Sequence, residues 1–520
     1  MKFDTELEEL PEVSEHPQIQ DLGTDLDASL RFVAAAESQL RYCPAIGWLA
    51  WDEKRWSVNG DAPAMELAKS VARDWVLHWM HLIPSDPDNQ QLKKNLKMAL
   101  ALEGGPRLRS VVELAKTDPK LCIEASGLDR DQWLLNVQNG TLDLKTGQLR
   151  PHSRKDFITK LAPVDYRPDA THPMLEKYLQ HVRETSPDMP DFLARCFGVA
   201  LTGDASTESL FLLQGDGASG KTTLVEAIAL MLGDYTAKLQ FESFCASKHG
   251  RSAGAASPDL IALRGARLAY ASEGSQSARL DAGLIKGLTG NEALTARALY
   301  KAPVSFEQTW KLWLVSNFDP NTESDDTGIW RRMLKLHFEV VPPEKRNPEL
   351  KTSLATDPMA RSALLSWCLR GCLDWHARGG GREGLAAPES VLAFTYEYRA
   401  KQDILGEWWK ALLVEATLGE EEVAFGSVLR GHYENWAKEF GTTPVQGKRF
   451  REFLIRQGLK EYRLANNRGW KGIKLDSYLH HPAGGGSAVI IRPCVNLLEE
   501  RSDPPSSKLL KPDSGGEARG

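Results

Sequence analysis

Along this chain of 520 residues the spacing of apolar positions changes repeatedly, and each change predicts an element. From Leu30 onward the stretch RYCPAIGWLAWDEKRWSVNG alternates large apolar residues, among them Trp48, Trp51 and Trp56, and ends at Asn59-Gly60, which predicts a small sheet with a turn there. Residues 64–81 have helical spacing, and residues 90–103 form a second helix stopped by Gly104-Gly105-Pro106. Residues 133–151 alternate across two turn signals, Asn139-Gly140 and Thr146-Gly147, the pattern of a β-meander. Two amphipathic helices follow within residues 173–201.

The centre of the chain is richer in buried strands. Leu210 to Leu213 is an uninterrupted apolar run, followed by a Gly-rich loop and then by Leu224, Val225, Ile228 and Leu232 at helical spacing. Residues 267–273 (RLAYASE) and 311–315 are further apolar strands, and residues 295–299 and 304–306 predict a hairpin with Tyr300-Lys301-Ala302-Pro303 at its tip. Residues 245–257, rich in Ser, Gly and Ala, read as a mobile loop. Residues 350–375 and 388–415 are helical, with Gly379-Gly380-Gly381 read as a linker between them. Residues 427–440 and 447–457 are two helices leading to a wing around Asn466-Asn467-Arg468-Gly469, a winged-helix pattern.

Length and charge add boundaries. The chain is too long for one core, which predicts several domains: an acidic disordered tail (1–29), an α+β region (30–172), a helical segment (173–205), a strand-rich core (206–341), a second helical segment (342–415), a winged-helix-like module (416–478) and a disordered tail (479–520). The net charge of −6 is unevenly spread: residues 1–30 carry nine acids against Lys2, whereas residues 446–474 carry nine Lys and Arg against two Glu. Asp25-Leu26-Asp27 belongs to the acidic tail and not to a metal pair. Seven scattered cysteines form no C-x-x-C pair, and Cys368 and Cys372 are expected in the core. No apolar run suits a bilayer, so a soluble, cytoplasmic protein without membrane partners is expected.

The chemistry lies in Gly215-Asp216-Gly217-Ala218-Ser219-Gly220-Lys221-Thr222, with Thr223 following. Between a buried strand and a helix, this spacing is a P-loop: backbone N–H groups cradle phosphates, Lys221 reaches the β and γ oxygens, and the Thr222 hydroxyl is placed for Mg²⁺. The implied ligands are ATP and Mg²⁺. Glu273, closing its strand, is the candidate for activating water and a candidate metal ligand beside Thr222. Asn317, at the end of WKLWLVSN, is placed to sense the γ-phosphate, and Arg331 or Arg332 is the candidate arginine finger, acting across a subunit boundary. Tyr300 and Lys301 suit a nucleic-acid strand, by stacking and by phosphate pairing. Lys448, Arg449, Arg451, Arg468 and Lys471 give the C-terminal module a basic face.

The order of P-loop, RLAYASE, Lys286-Gly287-Leu288-Thr289-Gly290, hairpin, LVSN and WRR resembles superfamily 3 helicases, and in detail the helicase part of phage and plasmid replicative primase-helicases. LLNVQNGTLDLKTGQLRPH upstream and HYENWAKEFG and RGWKGIKL downstream extend the resemblance to about residues 30–475. It implies a multidomain α/β fold with an AAA+-like core, an α+β helicase-associated region and a C-terminal winged helix. It further implies a homo-hexameric ring that moves 3′ to 5′ on single-stranded and forked DNA, in a bacterial host cytoplasm, with Lys286 among the DNA-contacting residues. A separate primase or polymerase is a further partner to consider, because no primase module is evident. Two alternatives stay open: an ATP-dependent origin-binding initiator without processive unwinding, and a primase-helicase with an unrecognised primase activity.

Overall fold

A computed structural model describes residues 24–246, 258–272, 274, 278–297, 304–322, 326–442, 444–464 and 467–475. The chain divides into two compact units, Met1–Ile404 and Leu405–Gly520. The boundary therefore lies ahead of residue 416, and the helix Ile404–Leu412 goes with the C-terminal unit.

The first unit is built on a five-stranded parallel sheet. Its strands are β1 (Leu210–Gln214), β2 (Thr236–Gln240), β3 (Leu268–Ser272), β4 (Lys311–Ser316) and β5 (Met333–His337), in spatial order β5-β1-β4-β3-β2. The apolar runs of β1 and β4 have a direct cause, since central parallel strands are covered on both faces. On one face Phe211 and Phe197 stack against Trp313 of β4 at 4.4 and 4.1 Å. Phe197 comes from the helix Met189–Val199, which packs along the helix Pro358–Ala377. The other face is closed by a separate cluster including Phe241, Ile285, Trp310 and Trp330.

Ahead of this sheet the helices Asp25–Ala36, Asp61–Leu82, Gln90–Leu102 and Gly105–Ala115 share one core with Leu40 and Trp48 of an antiparallel sheet, Leu40–Cys43, Gly47–Trp51 and Trp56–Ser57, whose Cys43, Leu49 and Trp56 join a second, smaller cluster with Leu128. Three expectations change here. Asp25 and Asp27 form the first turn of a helix capped by Thr24, so the acidic tail ends before residue 29. Asn59-Gly60 makes no hairpin turn; Gly60 N–H bonds Trp48 O at 3.0 Å and caps the helix that follows. Gly104-Gly105-Pro106 stops one helix but opens another, with Pro near its first position, where a missing N–H costs nothing. The meander forms as expected, from Leu134–Val137, Gly140–Asp143 and Gln148–Arg150. It is fastened to the sheet by Arg267, which is buried at the start of β3: it donates to Leu134 O at 2.6 Å and to Leu201 O, and its guanidinium lies 4.5 Å from the Tyr235 ring.

The glycines 379–381 also depart from expectation. They lie inside the first unit, with φ of +93°, +70° and +59°, a left-handed path open to glycine. Trp375 Nε1 donates to Gly381 O at 2.8 Å, so the run is a packed turn and not a linker.

The second unit contains the helix Ile404–Leu412, the strand Ala416–Phe425, the helices Gly426–Glu439 and Gly447–Arg456, and the strands Lys460–Leu464 and Asn467–Leu475. The last strand pairs with both others in an antiparallel sheet. Trp408, Tyr433, Phe450 and Phe453 supply its aromatic core. The strand Ala416–Phe425 was not foreseen: Glu420, Glu421 and Glu422 interrupt its alternation, at an irregularity in pairing between Gly419 and Val423.

Candidate functional site

The Gly-rich loop follows β1 at the carboxyl edge of the sheet, where the helix Lys221–Leu232, here α1, begins. A Cβ on Gly215 would fall 2.2 Å from Phe338 O, and one on Gly220, whose φ is +79°, would fall 2.8 Å from Tyr178 Cε2. Ala218 also has positive φ, +64°. These turns bring the loop over the start of α1. The Lys221 side chain is 4 % exposed, and its ammonium donates to Gly215 O at 2.6 Å, Asp216 O at 3.1 Å and Asn317 Oδ1 at 2.7 Å. Burial lowers its pKa, partly offset by Asp216.

Asn317 reaches Lys221 because β4 lies directly beside β1. Gln214 Nε2 donates to Asn317 O at 3.3 Å, and His337 Nδ1 lies 2.9 Å from Gln214 Oε1, so the three strand ends are tied together. Gly217 to Thr223, Gly274, Val315, Ser316 and Asn317 line a cleft of about 380 Å³. Thr222 and Thr223 thus sit with Lys221 and Asn317. Glu273 lies outside the described residues, although β3, which precedes it, ends next to β4 in the same sheet. Among the described residues no group of three or more His, Cys, Asp or Glu could hold a metal.

A second cleft, of about 420 Å³, shares Ala218, Gly220 and Thr223 with the loop and continues between Tyr178, His181 and residues 341–351. Tyr178 Oη and His181 Nδ1 are buried there without a hydrogen-bond partner among the described residues. Burial raises the Tyr178 phenol well above its ordinary pKa. Sequence reasoning missed this cleft. Residues 174–181 carry only an amphipathic helix signal, and residues 341–351 only a domain boundary and the start of a helix.

The other assigned residues are spread around the molecule. Arg331 and Arg332 stand just before β5, at the edge of the sheet opposite to the P-loop. The Arg332 side chain is 10 % exposed and donates to Gly328 O at 3.0 Å, whereas the Arg331 side chain is 66 % exposed; both approach Glu208, at 3.3 and 3.5 Å. Lys286, in the helix Ala282–Thr289, bonds Asp326 at 2.7 Å. The hairpin stem is present, with Leu294–Ala296 paired to Val304–Phe306, but its tip, with Tyr300 and Lys301, lies outside the described residues, as does most of the Ser/Gly/Ala-rich stretch 245–257. In the second unit Lys448, Arg451 and Arg468 are exposed and Arg449 and Lys471 partly so; Arg451 forms a forked pair with Glu461 at 2.6 and 2.9 Å, and Lys471 lies 3.3 Å from Glu421. No described helix is long and apolar enough to cross a membrane.

Residues 29–184 match the family model described as D5 N terminal like. A protein named "Putative helicase" in Acanthamoeba polyphaga mimivirus is 29% identical over 302 residues, covering 54% of this chain and 31% of that protein. One named "Putative primase" in African swine fever virus is 24% identical over 323 residues, covering 59% of this chain and 33% of that protein. One named "Putative helicase" in Sputnik virophage is 22% identical over 479 residues, covering 87% of this chain and 58% of that protein. The solved apo structure of the NrS-1 C-terminal region superposes with a TM-score of 0.38 at 13% identity, over 60% of this chain and 78% of that one. The chain spans about a third of the length of the first of these viral relatives. It is a multidomain α/β protein, with a parallel sheet, that is similar over part of its length to viral proteins named "Putative helicase" and "Putative primase".

Proposed function

We propose that the chain is an ATP-driven DNA helicase of superfamily 3 type, with an AAA+-like core that works as a hexameric ring on single-stranded DNA. The carrying observation is the contact of Lys221 with Asn317 across neighbouring parallel strands, which puts a phosphate-binding cation and a polar amide at the mouth of one cleft. Lys221 would leave the loop carbonyls for the β and γ oxygens, and Asn317 would turn toward the γ-phosphate or the attacking water. Glu273 would take the proton of that water. Thr222, with Glu273, would hold Mg²⁺, which when bound spreads the phosphate charge. The second cleft suits the nucleoside, with Tyr178 and His181 as its hydrogen-bonding groups.

Of the two arginines Arg331 fits the finger, because its guanidinium is free to extend while that of Arg332 is enclosed. β1 and β5 run side by side, so Arg331 stands roughly 15–20 Å from its own P-loop, at about 3.3 Å per strand residue. That span favours action on a neighbouring subunit. The hairpin with Tyr300 and Lys301 would grip the strand, and the second unit, whose helices and strands follow winged-helix order, would contact DNA through Lys448, Arg449, Arg468 and Lys471.

The test is strand displacement on a forked duplex, with ATP and with a non-hydrolysable analogue. Unwinding that needs hydrolysis and is lost in Lys221→Ala is expected. DNA-stimulated hydrolysis without unwinding would turn the assignment to an origin-binding initiator.

A further inference from the structure

Arg382 belongs to none of the motifs above, yet it is tied to the start of β5. Its Nη1 donates to Ser209 Oγ at 2.9 Å and to Arg332 O at 3.1 Å, and its Nη2 to Met333 O at 3.2 Å. The Arg332 carbonyl also accepts from Leu210 N at 2.8 Å, so one carbonyl receives two donors. The guanidinium is thus spent on neutral acceptors. Burial depresses its pKa.

The segment that carries Arg382 is held from behind. The left-handed glycine turn aims the chain back at the sheet, and buried Arg195 donates to Leu385 O at 2.7 Å and to Ala386 O at 3.3 Å while pairing with Asp374 at 3.0 Å. Ahead of Arg331 the short helix Thr327–Trp330 is capped by the Asp326 side chain, and Arg331 N bonds Thr327 O at 3.0 Å. The peptides on both sides of Arg331 are therefore pinned while its side chain remains exposed.

We propose that Arg382 is a positioning residue for Arg331: by fixing the Arg332–Met333 peptide it sets where the Arg331 guanidinium is presented to the neighbouring subunit. The inference rests on the proposed action of Arg331 in trans. A displacement of about 1 Å at such a group costs on the order of 10² in rate, so Arg382→Met should lower kcat roughly 10- to 100-fold while the variant's own P-loop still binds a fluorescent ATP analogue within about twofold of wild type.

Mixing full-length subunits tests this. Lys221→Ala with Arg331→Ala is the control pair, since each supplies what the other lacks. Arg382→Met should recover hydrolysis when mixed with Lys221→Ala and not when mixed with Arg331→Ala, and Arg382→Lys should keep part of the activity because one ammonium still reaches the carbonyls. Should the Met variant fail to fold, Arg382→Lys carries the same two mixtures. Loss of nucleotide binding matching the loss of turnover, or recovery with Arg331→Ala, would overturn the proposal, as would no recovery with Lys221→Ala beside a working control pair. Failure of the control pair itself would instead remove the trans reading, and this inference with it.

Discussion

Gly220→Ala puts a single methyl group where the loop, α1 and the second cleft meet. At φ +79° a side-chain-bearing residue costs about 1–2 kcal/mol. The new Cβ would also meet Tyr178 Cε2 at 2.8 Å, and Tyr178 is 5 % exposed, so its ring has little room to withdraw. Overpacking of this kind costs about 1–3 kcal/mol more. The sum, roughly 2–5 kcal/mol, can be shed either by loosening the fold or by swinging the loop outward. If only 2 kcal/mol falls on the loop, nucleotide affinity drops roughly 30-fold; if it falls on the fold, the melting midpoint drops on the order of 5 °C. Gly217→Ala is the matched control, because a Cβ there meets nothing within 4 Å. Its cost to stability should stay below about 0.5 kcal/mol. Thermal melting and titration with a fluorescent ATP analogue, on both variants, decide the matter. A Gly220→Ala protein that melts within a degree of wild type and binds within twofold of it would refute the steric argument.

Three further outcomes are expected. Asn317→Ala should bind ATP but turn it over roughly 10²-fold more slowly, the size of loss seen when one transition-state hydrogen-bond donor is removed; equal losses in binding and turnover would reduce Asn317 to a support for Lys221. Tyr178→Phe removes a buried hydroxyl that has no partner among the described residues, so the free protein should melt no lower than wild type, while ATP binding weakens by about 1 kcal/mol if the hydroxyl reads the nucleoside; an unchanged Kd would take the base out of that cleft. Ending the chain at Ile404 removes the second unit whole, and if four phosphate contacts go with it, the salt dependence of DNA binding should become shallower by roughly three to four units of log K per log salt, with basal ATPase kept. An unchanged slope would assign the basic face to solvation alone.

Two of the site residues expected from the sequence, Gly215 and Asn317, share a physical property: each follows a short apolar run. A buried parallel strand needs such a run, and the residue after it must emerge at the carboxyl edge, so Gly215 after Leu210–Gln214 and Asn317 after Lys311–Ser316 were placed by local pattern alone. The β-meander and the two helices before the P-loop were legible for the same local reason. Where local signals have two meanings the reading failed. Gly-Gly-Pro can stop a helix or start one, and here it does both, at Leu102 and at Gly105. Three glycines can mean a loose tether or a left-handed turn, and only the bond from Trp375 to Gly381 O shows which.

What could not be read at all is what depends on chain segments meeting. Tyr178 touches the P-loop across a gap of some forty residues, and Arg382 meets the start of β5 from about fifty residues downstream, neither with a spacing rule to announce it. These two contacts lie at opposite edges of the sheet. At the carboxyl edge, under the proposed reading, Lys221, Asn317 and Tyr178 serve a phosphate chain and a base; at the amino edge Arg382 and Glu208 hold a segment whose exposed group, Arg331, lies 3.5 Å from Glu208. A sheet one strand long keeps these two sets apart within one copy of the chain, since the strands are buried and their register is fixed by five successive residue pairs. Motion within one copy cannot bring Arg331 to Lys221 without breaking that register. Under the proposed reading the same rigidity has a use: it transmits the position of one subunit's P-loop to the arginine it offers the next.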